Sequence, residues 1–193
     1  MSSTMSPSKQ RIFEEAARLF QEKGYHASSM RELASRLGLT VSSIYSHIGG
    51  KEEILQKICM EHAYRFMRLM EETEQMATSP EEKVLHLIRQ HIHIATDDVT
   101  SVTVFNDEWR HLSQPWLDEF IKMRKDYERR FIKLIQQGQE AGAFAMVDPV
   151  IALFTILTSL RWLHHWYPAR KGISLQSLEE NILSVLMKGL LKR

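Results

Sequence analysis

Apolar residues recur at helical spacing through almost the whole chain. Over residues 12–20 they repeat every three or four positions, which predicts a first helix that ends at Lys23-Gly24. The same pattern over residues 30–37 predicts a second helix, with Ser28 or Ser29 as its N-cap. Asn-Gly and Asp-Gly hairpin turns are absent and strand signals are sparse, so an all-α fold is predicted.

A third short helix is predicted between Thr40, its N-cap, and Gly49-Gly50, where it should end. Residues 1–50 therefore make a small three-helix module. Residues 51–193 make a larger all-helical domain. The helices expected there span residues 51–76, 80–98, 99–109, 115–142, 149–166 and 175–191.

The third helix has small hydroxyl side chains on its outward face. With Ile44 at the centre of the buried side, a step of about 100° per residue places Ser42 and Ser46 roughly opposite, flanked by Ser43 and Tyr45. Small side chains allow the backbone to approach another surface closely. Two short helices joined by a glycine-containing turn are typical of a helix-turn-helix, whose second helix enters the DNA major groove.

Residues near the end of this helix suit phosphate oxygens. Tyr45 and His47 offer hydrogen-bond donors, and Lys51 adds a positive charge at the start of the next helix, where free N–H groups also favour an anion. The overall sequence pattern therefore predicts double-stranded DNA as a partner.

Residues 10–55 resemble the N-terminal DNA-binding domain of the TetR family of transcriptional repressors. The match includes AxxLFxxxGY in the first helix, SMRELA in the second, and GLTxxSIYxHIGGKEEI from the turn into the fourth. The rest of the chain is similar to the family's ligand-binding and dimerisation domain in length and helix order. The resemblance therefore implies a helix-turn-helix DNA-binding domain over residues 1–50 and a ligand-binding and dimerisation domain over residues 51–193. Ile48 and Ser46 stand where the family usually has aromatic residues, so one phosphate or sugar contact is expected to be lost at Ser46.

The resemblance implies which residues contact the operator. The expected set is Ser29, Arg31, Val41, Ser42, Ser43, Tyr45, Ser46, His47 and Lys51. Ser29, Tyr45, His47 and Lys51 would contact phosphates, and Val41, Ser42 and Ser46 would face the bases. Arg31 matches a position that reaches a guanine in some relatives, and arginine has the bidentate fit that guanine requires. The third helix has no Arg, Asn or Gln, so DNA shape should contribute to specificity.

The second domain is similar to the subgroup of the family that regulates fatty-acid or sterol breakdown and senses acyl-CoA thioesters, over residues 106–144 and 159–182. Aromatic side chains would line an apolar interior and arginines would bind CoA phosphates. The candidate ligand residues are Phe105, Trp109, Phe120, Arg124, Tyr127, Phe154, Arg161 and Trp162. A salt-bridged solvent face is the alternative for the arginines. A multidrug sensor using Asp107, Glu108 and Glu119 is the alternative for the effector.

The last two helices carry apolar residues on more than one side, which predicts a homodimer. Residues 150–160 are apolar almost all round. Leu178, Ile182, Val185, Leu186 and Gly189 line one side of the final helix. A two-fold pair would also present two recognition helices to an inverted repeat.

Composition places few further limits on the chain. Its 193 residues are 44% hydrophobic and 25% charged, with a formal net charge of +1, so any basic surface is local. The one cysteine, Cys59, cannot form an internal disulfide, which suits a reducing compartment, and is expected to be an inert core thiol. No apolar run reaches the roughly 18 residues of a membrane span, so we expect no membrane partner and a cytoplasmic protein.

Enzymatic function is not expected, because the sequence has no nucleophile elbow, glycine-rich phosphate loop or metal motif. We therefore assign no catalytic residues and no cofactor. His86, His93 and Asp97 share a helix face in an order compatible with metal binding, but scattered helical histidines are more often surface or half-buried residues, and no metal is predicted. A helical protein–protein module remains the third functional class.

Overall fold

A computed structural model of the chain describes residues 7–170 and 172–190, and the elements over these ranges are helical, which confirms the predicted all-α fold. The helices are α1 (Pro7–Lys23), α2 (Met30–Leu37), α3 (Val41–Tyr45), α4 (Lys51–Gln75), α5 (Pro80–Asp97), α6 (Val99–Asp107), α7 (Trp116–Glu140), α8 (Pro149–Arg161), α9 (Leu163–Trp166) and α10 (Leu175–Leu190), with a 3-10 turn at Trp109–His111. Over the described residues, no helix combines the length and the apolarity needed to cross a membrane.

Helix starts follow the predicted capping residues. The Ser29 hydroxyl accepts a hydrogen bond from the N–H of Glu32 at 3.2 Å, which identifies Ser29 and not Ser28 as the N-cap of α2. Side-chain oxygens cap the starts of four other helices in the same way, at Thr40, Ser79, Asp148 and Ser174.

Two predicted helix ends were wrong. The third helix ends at Tyr45 and not at Gly49-Gly50, because the chain tightens there: the N–H of His47 bonds to the carbonyl of Ile44 three residues back, at 2.9 Å. The helix that was expected to reach Trp166 breaks at Trp162, whose ψ is −4°. The break redirects the chain, so that Leu163 is buried while Trp162 is exposed.

The first of two compact units comprises Met1–His62 and Thr100–Phe120. Its core combines buried residues of α1 to α4 with residues of the second segment: Ile12, Ala16, Leu19, Phe20, Leu33, Ile44, Ile48, Ile54, Leu55, Cys59, Val102, Val104, Leu112 and Phe120. Burial raises the pKa of the Cys59 thiol to about 12, as expected for an inert core cysteine.

Polar contacts also join the two segments of this unit. The amide of Gln21 donates to the Thr103 hydroxyl at 3.3 Å, and His62 Nε2 lies 2.8 Å from the Ser101 hydroxyl. The predicted domain boundary at residue 50 follows the three short helices and stays a prediction. The first compact unit continues beyond it to His62.

The second unit comprises Ala63–Val99 and Ile121–Arg193. Within it, α5 packs against α8, α9 and α10, so α5 is the central helix of this body. Five of its buried residues follow one helical stripe, and Ile94 is buried outside it; the five are Val84, Leu87, Ile88, Ile92 and Ala95. Arg130 of α7 binds Glu74 of α4 through two hydrogen bonds of 3.0 and 2.5 Å, and this bidentate pair links α7 to α4.

Candidate DNA-binding face and effector region

The turn between α2 and α3 fixes the angle of the predicted recognition helix. Gly38 has a φ of 66°, in the left-handed region where a side chain is unfavourable, and the N–H of Leu39 bonds to the carbonyl of Ala34 at 2.9 Å. Leu33 and Ile44 are both buried, which anchors the two helices on the core. This arrangement is a helix-turn-helix.

The outward face of α3 has the predicted small hydroxyl character. Ser42, Ser46 and His47 are exposed, and Tyr45 is 51% exposed. Val41 and Ser43 lie half-buried beside them. The Ser46 hydroxyl donates to the carbonyl of Ser43 at 2.7 Å, so it is already engaged locally although its oxygen remains on the outward side.

Arg31 stands at the start of α2 as an exposed guanidinium next to the exposed Ser29 cap. Over the described residues, no carboxylate forms an ion pair with Arg31. Arg36 differs, because its guanidinium contacts Glu15, Glu22 and Glu32. Of these two arginines in α2, Arg31 is therefore the one whose charge remains available to an external partner.

Lys51 is directed into the protein. Its ammonium donates hydrogen bonds to the backbone carbonyls of Tyr25, at 2.8 Å, and Ser28, at 3.0 Å, and lies 4.2 Å from the centroid of the Tyr25 ring. The start of α4 is thereby tied to the turn between α1 and α2. The phosphate contact of Lys51 stays a prediction. Its internal role could not be predicted, because both acceptors are backbone atoms distant in the chain.

The turn before α4 is held by Glu53. The N–H of Gly49 donates to its carboxylate at 2.6 Å, and Lys9 contacts the other oxygen at 3.3 Å. The bond from the Gly49 N–H is the largest factor that lowers the pKa of the Glu53 carboxyl, so the group is ionised at neutral pH. The segment that carries Ser46 and His47 is consequently fixed at both ends.

Replacing Lys51 with methionine should destabilise the protein, because the carbonyls of Tyr25 and Ser28 lose a charged donor. We expect the free energy of unfolding to fall by roughly 1–3 kcal/mol, measured by urea denaturation at one fixed protein concentration. Lys57→Met is the matched control, since Lys57 pairs with Glu61 on the surface of the same helix and should cost less than about 1 kcal/mol. Equal losses in the two variants would contradict the internal role of Lys51.

Three of the predicted ligand residues come together in the first unit. The rings of Trp109 and Phe120 are stacked at 5.3 Å, and Phe105 meets Phe120 edge-on at 5.6 Å. The Arg110 guanidinium lies 4.6 Å from the Trp109 ring centroid. These residues form a single aromatic cluster.

Tyr127 belongs to a different cluster, in the second unit. Its hydroxyl lies 2.7 Å from Nε2 of His91, and the rings of Phe66 and Phe131 flank the pair. His91 and Phe66 were missed by the sequence interpretation. His91 could have been found, because it follows Leu87 and Ile88 at the four- and three-residue steps of the buried α5 stripe.

The remaining predicted ligand residues lie near the surface of the second unit. Arg124 is exposed and its guanidinium bonds to Glu128 at 2.9 Å. Phe154 and Trp162 are 43% and 58% exposed, and Arg161 is exposed between them. All four side chains are exposed, whereas Tyr127 is buried.

Two of the three residues considered for metal binding, His93 and Asp97, contact different partners. His93 Nε2 lies 3.0 Å from the carboxylate of Glu179, which also contacts Arg89. Asp97 lies 3.9 Å from Arg65. His93 is therefore hydrogen-bonded to Glu179, and Asp97 is paired with Arg65.

Known proteins share both sequence patterns and fold with this chain. The structure of the ketosteroid transcriptional regulator KstR2 of Mycobacterium tuberculosis superposes with a TM-score of 0.91, at 21% identity, over 98% of each chain. AibR, solved with isovaleryl coenzyme A and operator DNA, superposes with a TM-score of 0.79 at 22% identity, over 92% of this chain and 96% of AibR. The fatty acid metabolism regulator protein of Bacillus subtilis is 23% identical over 186 residues, 95% of this chain and 96% of the relative.

Family models match both parts of the chain. Residues 12–58 match the model of bacterial regulatory proteins of the tetR family. Residues 77–190, more than half of the chain, match the tetracyclin repressor-like C-terminal domain. Together with the helix-turn-helix geometry, these matches establish that the chain belongs to the TetR family of transcriptional regulators.

Proposed function

We propose that this regulator is a ligand-responsive repressor, which binds an operator with inverted half-sites as a homodimer and is released by an apolar effector, a long-chain acyl-CoA. The observation that carries the proposal is the outward face of α3, where exposed Ser42, Tyr45 and His47 follow a rigid turn. The small side chains of Ser42 and Ser46 let the α3 backbone enter the major groove closely.

Two kinds of DNA contact are proposed, one to phosphates and one to bases. Ser29, Tyr45, His47 and Lys51 contact phosphates, with Lys51 sharing its ammonium between DNA and the protein's own carbonyls. Val41, Ser42, Ser43 and Ser46 face the bases through short contacts. Arg31 supplies the one long side chain with a bidentate fit to guanine, and its lack of an ion-pair partner over the described residues supports this role.

Tyr45→Phe should weaken binding to every operator sequence roughly threefold to tenfold, because one hydrogen bond to phosphate is lost. The salt dependence should not change, since no cation is removed. The operator is first selected from a randomised DNA library with the wild-type protein, and affinities are then measured by gel shift over a range of salt concentrations.

Tyr64→Phe is the control, since Tyr64 is exposed on α4 outside the first unit. Arg31→Ala gives the contrasting pattern: preference should relax at one base pair, by roughly 1–3 kcal/mol. Unchanged operator affinity in Tyr45→Phe would refute the proposed docking of α3.

The proposed dimer face combines α8 and α10. Val150, Ile151 and Phe154 are exposed on the side of α8 that faces away from its buried residues, and Val185 is exposed on α10. Both helices pack on α5, so they belong to one body. Unpartnered apolar side chains of this size usually mark a protein interface, and the exposure of Phe154 and Trp162 supports this role over an effector contact.

The proposed effector class is supported by relatives and by chemistry. A ketosteroid regulator, a fatty acid metabolism regulator and a protein solved with isovaleryl coenzyme A all cover most of this chain. Each of the two aromatic clusters, one around Phe120 in the first unit and one around Tyr127 in the second, could by itself accept an apolar acyl group. Arg124 and Arg161 are exposed and are proposed to bind the CoA phosphates.

Palmitoyl-CoA should raise the melting temperature of the protein, because it binds the folded and not the unfolded chain. It should also release the selected operator, because it binds more tightly to the folded conformation that does not bind DNA. Coupling is reciprocal, so saturating operator should lower palmitoyl-CoA affinity by the same factor. Calorimetry with palmitoyl-CoA, palmitate, CoA and a cationic dye tests this. Operator release by the dye alone would establish a multidrug sensor in place of an acyl-CoA sensor.

A further inference from the structure

The turn between α1 and α2 lies against the 3-10 turn at Trp109–His111, within the first unit. The His111 ring stacks on the Tyr25 ring, with centroids 5.7 Å apart and planes 13° from parallel. The Glu108 carboxylate lies close to Gly24, where an added Cβ would come within 3.5 Å of its Oε1. Residues far away in the chain therefore hold the α1–α2 turn from outside the helix-turn-helix.

Tyr25 links this contact to Lys51. The Tyr25 ring is buried, and the Lys51 ammonium lies 4.2 Å from its centroid. The same ammonium donates to the Tyr25 carbonyl at 2.8 Å and to the Ser28 carbonyl at 3.0 Å. Burial raises the pKa of the Tyr25 phenol, so the ring stays uncharged at neutral pH and attracts the cation through its π face. Tyr25 thus contacts both the His111 ring and Lys51.

The Lys51 ammonium keeps one donor for an external acceptor. It has three N–H bonds, and two of them point to carbonyls of the protein. Over the described residues, no carboxylate pairs with Lys51. A lysine that moves freely loses conformational entropy when a phosphate fixes it. Because the Tyr25 ring and the two carbonyls already hold the Lys51 ammonium, much of that freedom is lost before DNA binds.

A role in packing its own turn explains the His111 ring less well. The 3-10 turn is already anchored by the buried Leu112, and the N–H of His111 bonds to the carbonyl of Glu108 at 3.0 Å. The His111 ring is half-buried, with its Nε2 3.4 Å from the Glu108 carboxylate. Beyond its own turn, the ring stacks on Tyr25 and meets the exposed His26 ring edge-on, with centroids 4.0 Å apart. The outward contacts of the ring are therefore with the α1–α2 turn.

We propose that His111 is a positioning residue for DNA binding. By stacking on Tyr25 it fixes the α1–α2 turn, and thereby holds the Lys51 ammonium where a phosphate oxygen can reach it. His111 lies outside residues 12–58, which match the model of bacterial regulatory proteins of the tetR family, and inside the range of the C-terminal model. The inference rests on the proposed function, because it requires Lys51 to contact a phosphate.

Two substitutions separate the ring of His111 from its polar atoms. His111→Gln removes the ring and can still hydrogen-bond to Glu108, whereas His111→Phe keeps a ring that can stack and loses that bond. His111→Gln should bind the selected operator roughly threefold to tenfold more weakly than the wild type, and His111→Phe should bind it like the wild type. His86→Gln, at a half-buried position of α5 in the second unit, is the matched control and should not change operator affinity.

The salt dependence of operator binding reports the phosphate contact itself. The slope of log affinity against log salt concentration should become shallower by about 0.9 in Lys51→Met, the value of one phosphate contact. It should become shallower by up to about 0.9 in His111→Gln and stay unchanged in His111→Phe. Loss of fold stability alone would not produce this pattern.

A double-mutant cycle tests whether His111 acts through Lys51. In a Lys51→Met background, His111→Gln should weaken operator binding by less than about twofold, because the contact that the ring supports is already missing. If His111 only stabilised the fold, its effect would be the same in both backgrounds. If Lys51→Met does not fold, the salt slopes of the two His111 variants decide.

Wild-type affinity in His111→Gln, equal weakening in His111→Gln and His111→Phe, or equal effects in the two backgrounds would overturn the inference. An unchanged salt slope in Lys51→Met would overturn it as well, since Lys51 would then contact no phosphate. The test with Tyr45→Phe does not involve Lys51, so a failure there concerns the proposed function alone.

Discussion

The variant Ile151→Glu/Val185→Glu is expected to be monomeric and to lose operator binding almost completely. Ile151 is 67% exposed and Val185 is 75% exposed, so neither substitution disturbs the core of a protomer. In a dimer both carboxylates would be buried in an apolar interface without a partner, which is strongly unfavourable. A single recognition helix then replaces two linked ones, and such a loss of bivalency lowers affinity by roughly a hundredfold to ten-thousandfold.

Analytical ultracentrifugation and gel shift measure the two consequences together. The variant should sediment near the protomer mass of 22.6 kDa, while the wild type sediments at twice that mass. Gln136→Glu, which adds charge on the exposed surface of α7, is the control and should leave both properties unchanged. A dimeric double variant, or a monomeric wild type at micromolar concentration, would reject this interface.

Gly138→Ala is expected to destabilise the second unit by roughly 1–3 kcal/mol, the usual cost of overpacking a core. A methyl group at this position would lie 3.1 Å from Cγ of Phe144 and closer still to two other atoms of that ring. Phe144 is fully buried, so its ring cannot move aside freely. The backbone is fixed as well, because the N–H groups of Ala143 and Phe144 both donate to the Gly138 carbonyl.

The sign of this effect should reverse when the Phe144 ring is removed. In a Phe144→Ala background, Gly138→Ala meets no ring, and the higher helix propensity of alanine should stabilise the protein by up to about 1 kcal/mol. Chemical denaturation of the wild type, the two single variants and the double variant gives the effect of Gly138→Ala on the free energy of unfolding in each background. Destabilisation of the same size in both backgrounds would show that the ring contact is not the cause.

Helix starts could be predicted because their causes are local. A cap such as Thr40 or Asp148 needs only its own side chain and the N–H groups two or three residues ahead. Helix ends were less predictable: α3 stops where the N–H of His47 bonds back to Ile44, and α8 stops at Trp162. Both helix ends depend on how the residues that follow them pack, and a local sequence pattern does not contain that information.

The candidate sites were predictable to different degrees. The helical period alone placed Ser42 and Tyr45 on the exposed side of α3. The inward direction of Lys51 was not predictable, because it depends on carbonyls of a turn distant in sequence. The pairing of His91 with Tyr127 joins two helices 36 residues apart, so only tertiary packing creates it.

The DNA-binding unit is discontinuous in the chain, which matters for building hybrid regulators. Residues up to His62 pack with Thr100–Phe120: Gln21 bonds to Thr103, and the His111 ring stacks on Tyr25 at 5.7 Å. Transplanting the first segment alone onto a different body would leave these partners behind. A hybrid regulator that is to keep this operator specificity must therefore carry both segments, with chain junctions near residue 62 and on either side of residues 100–120.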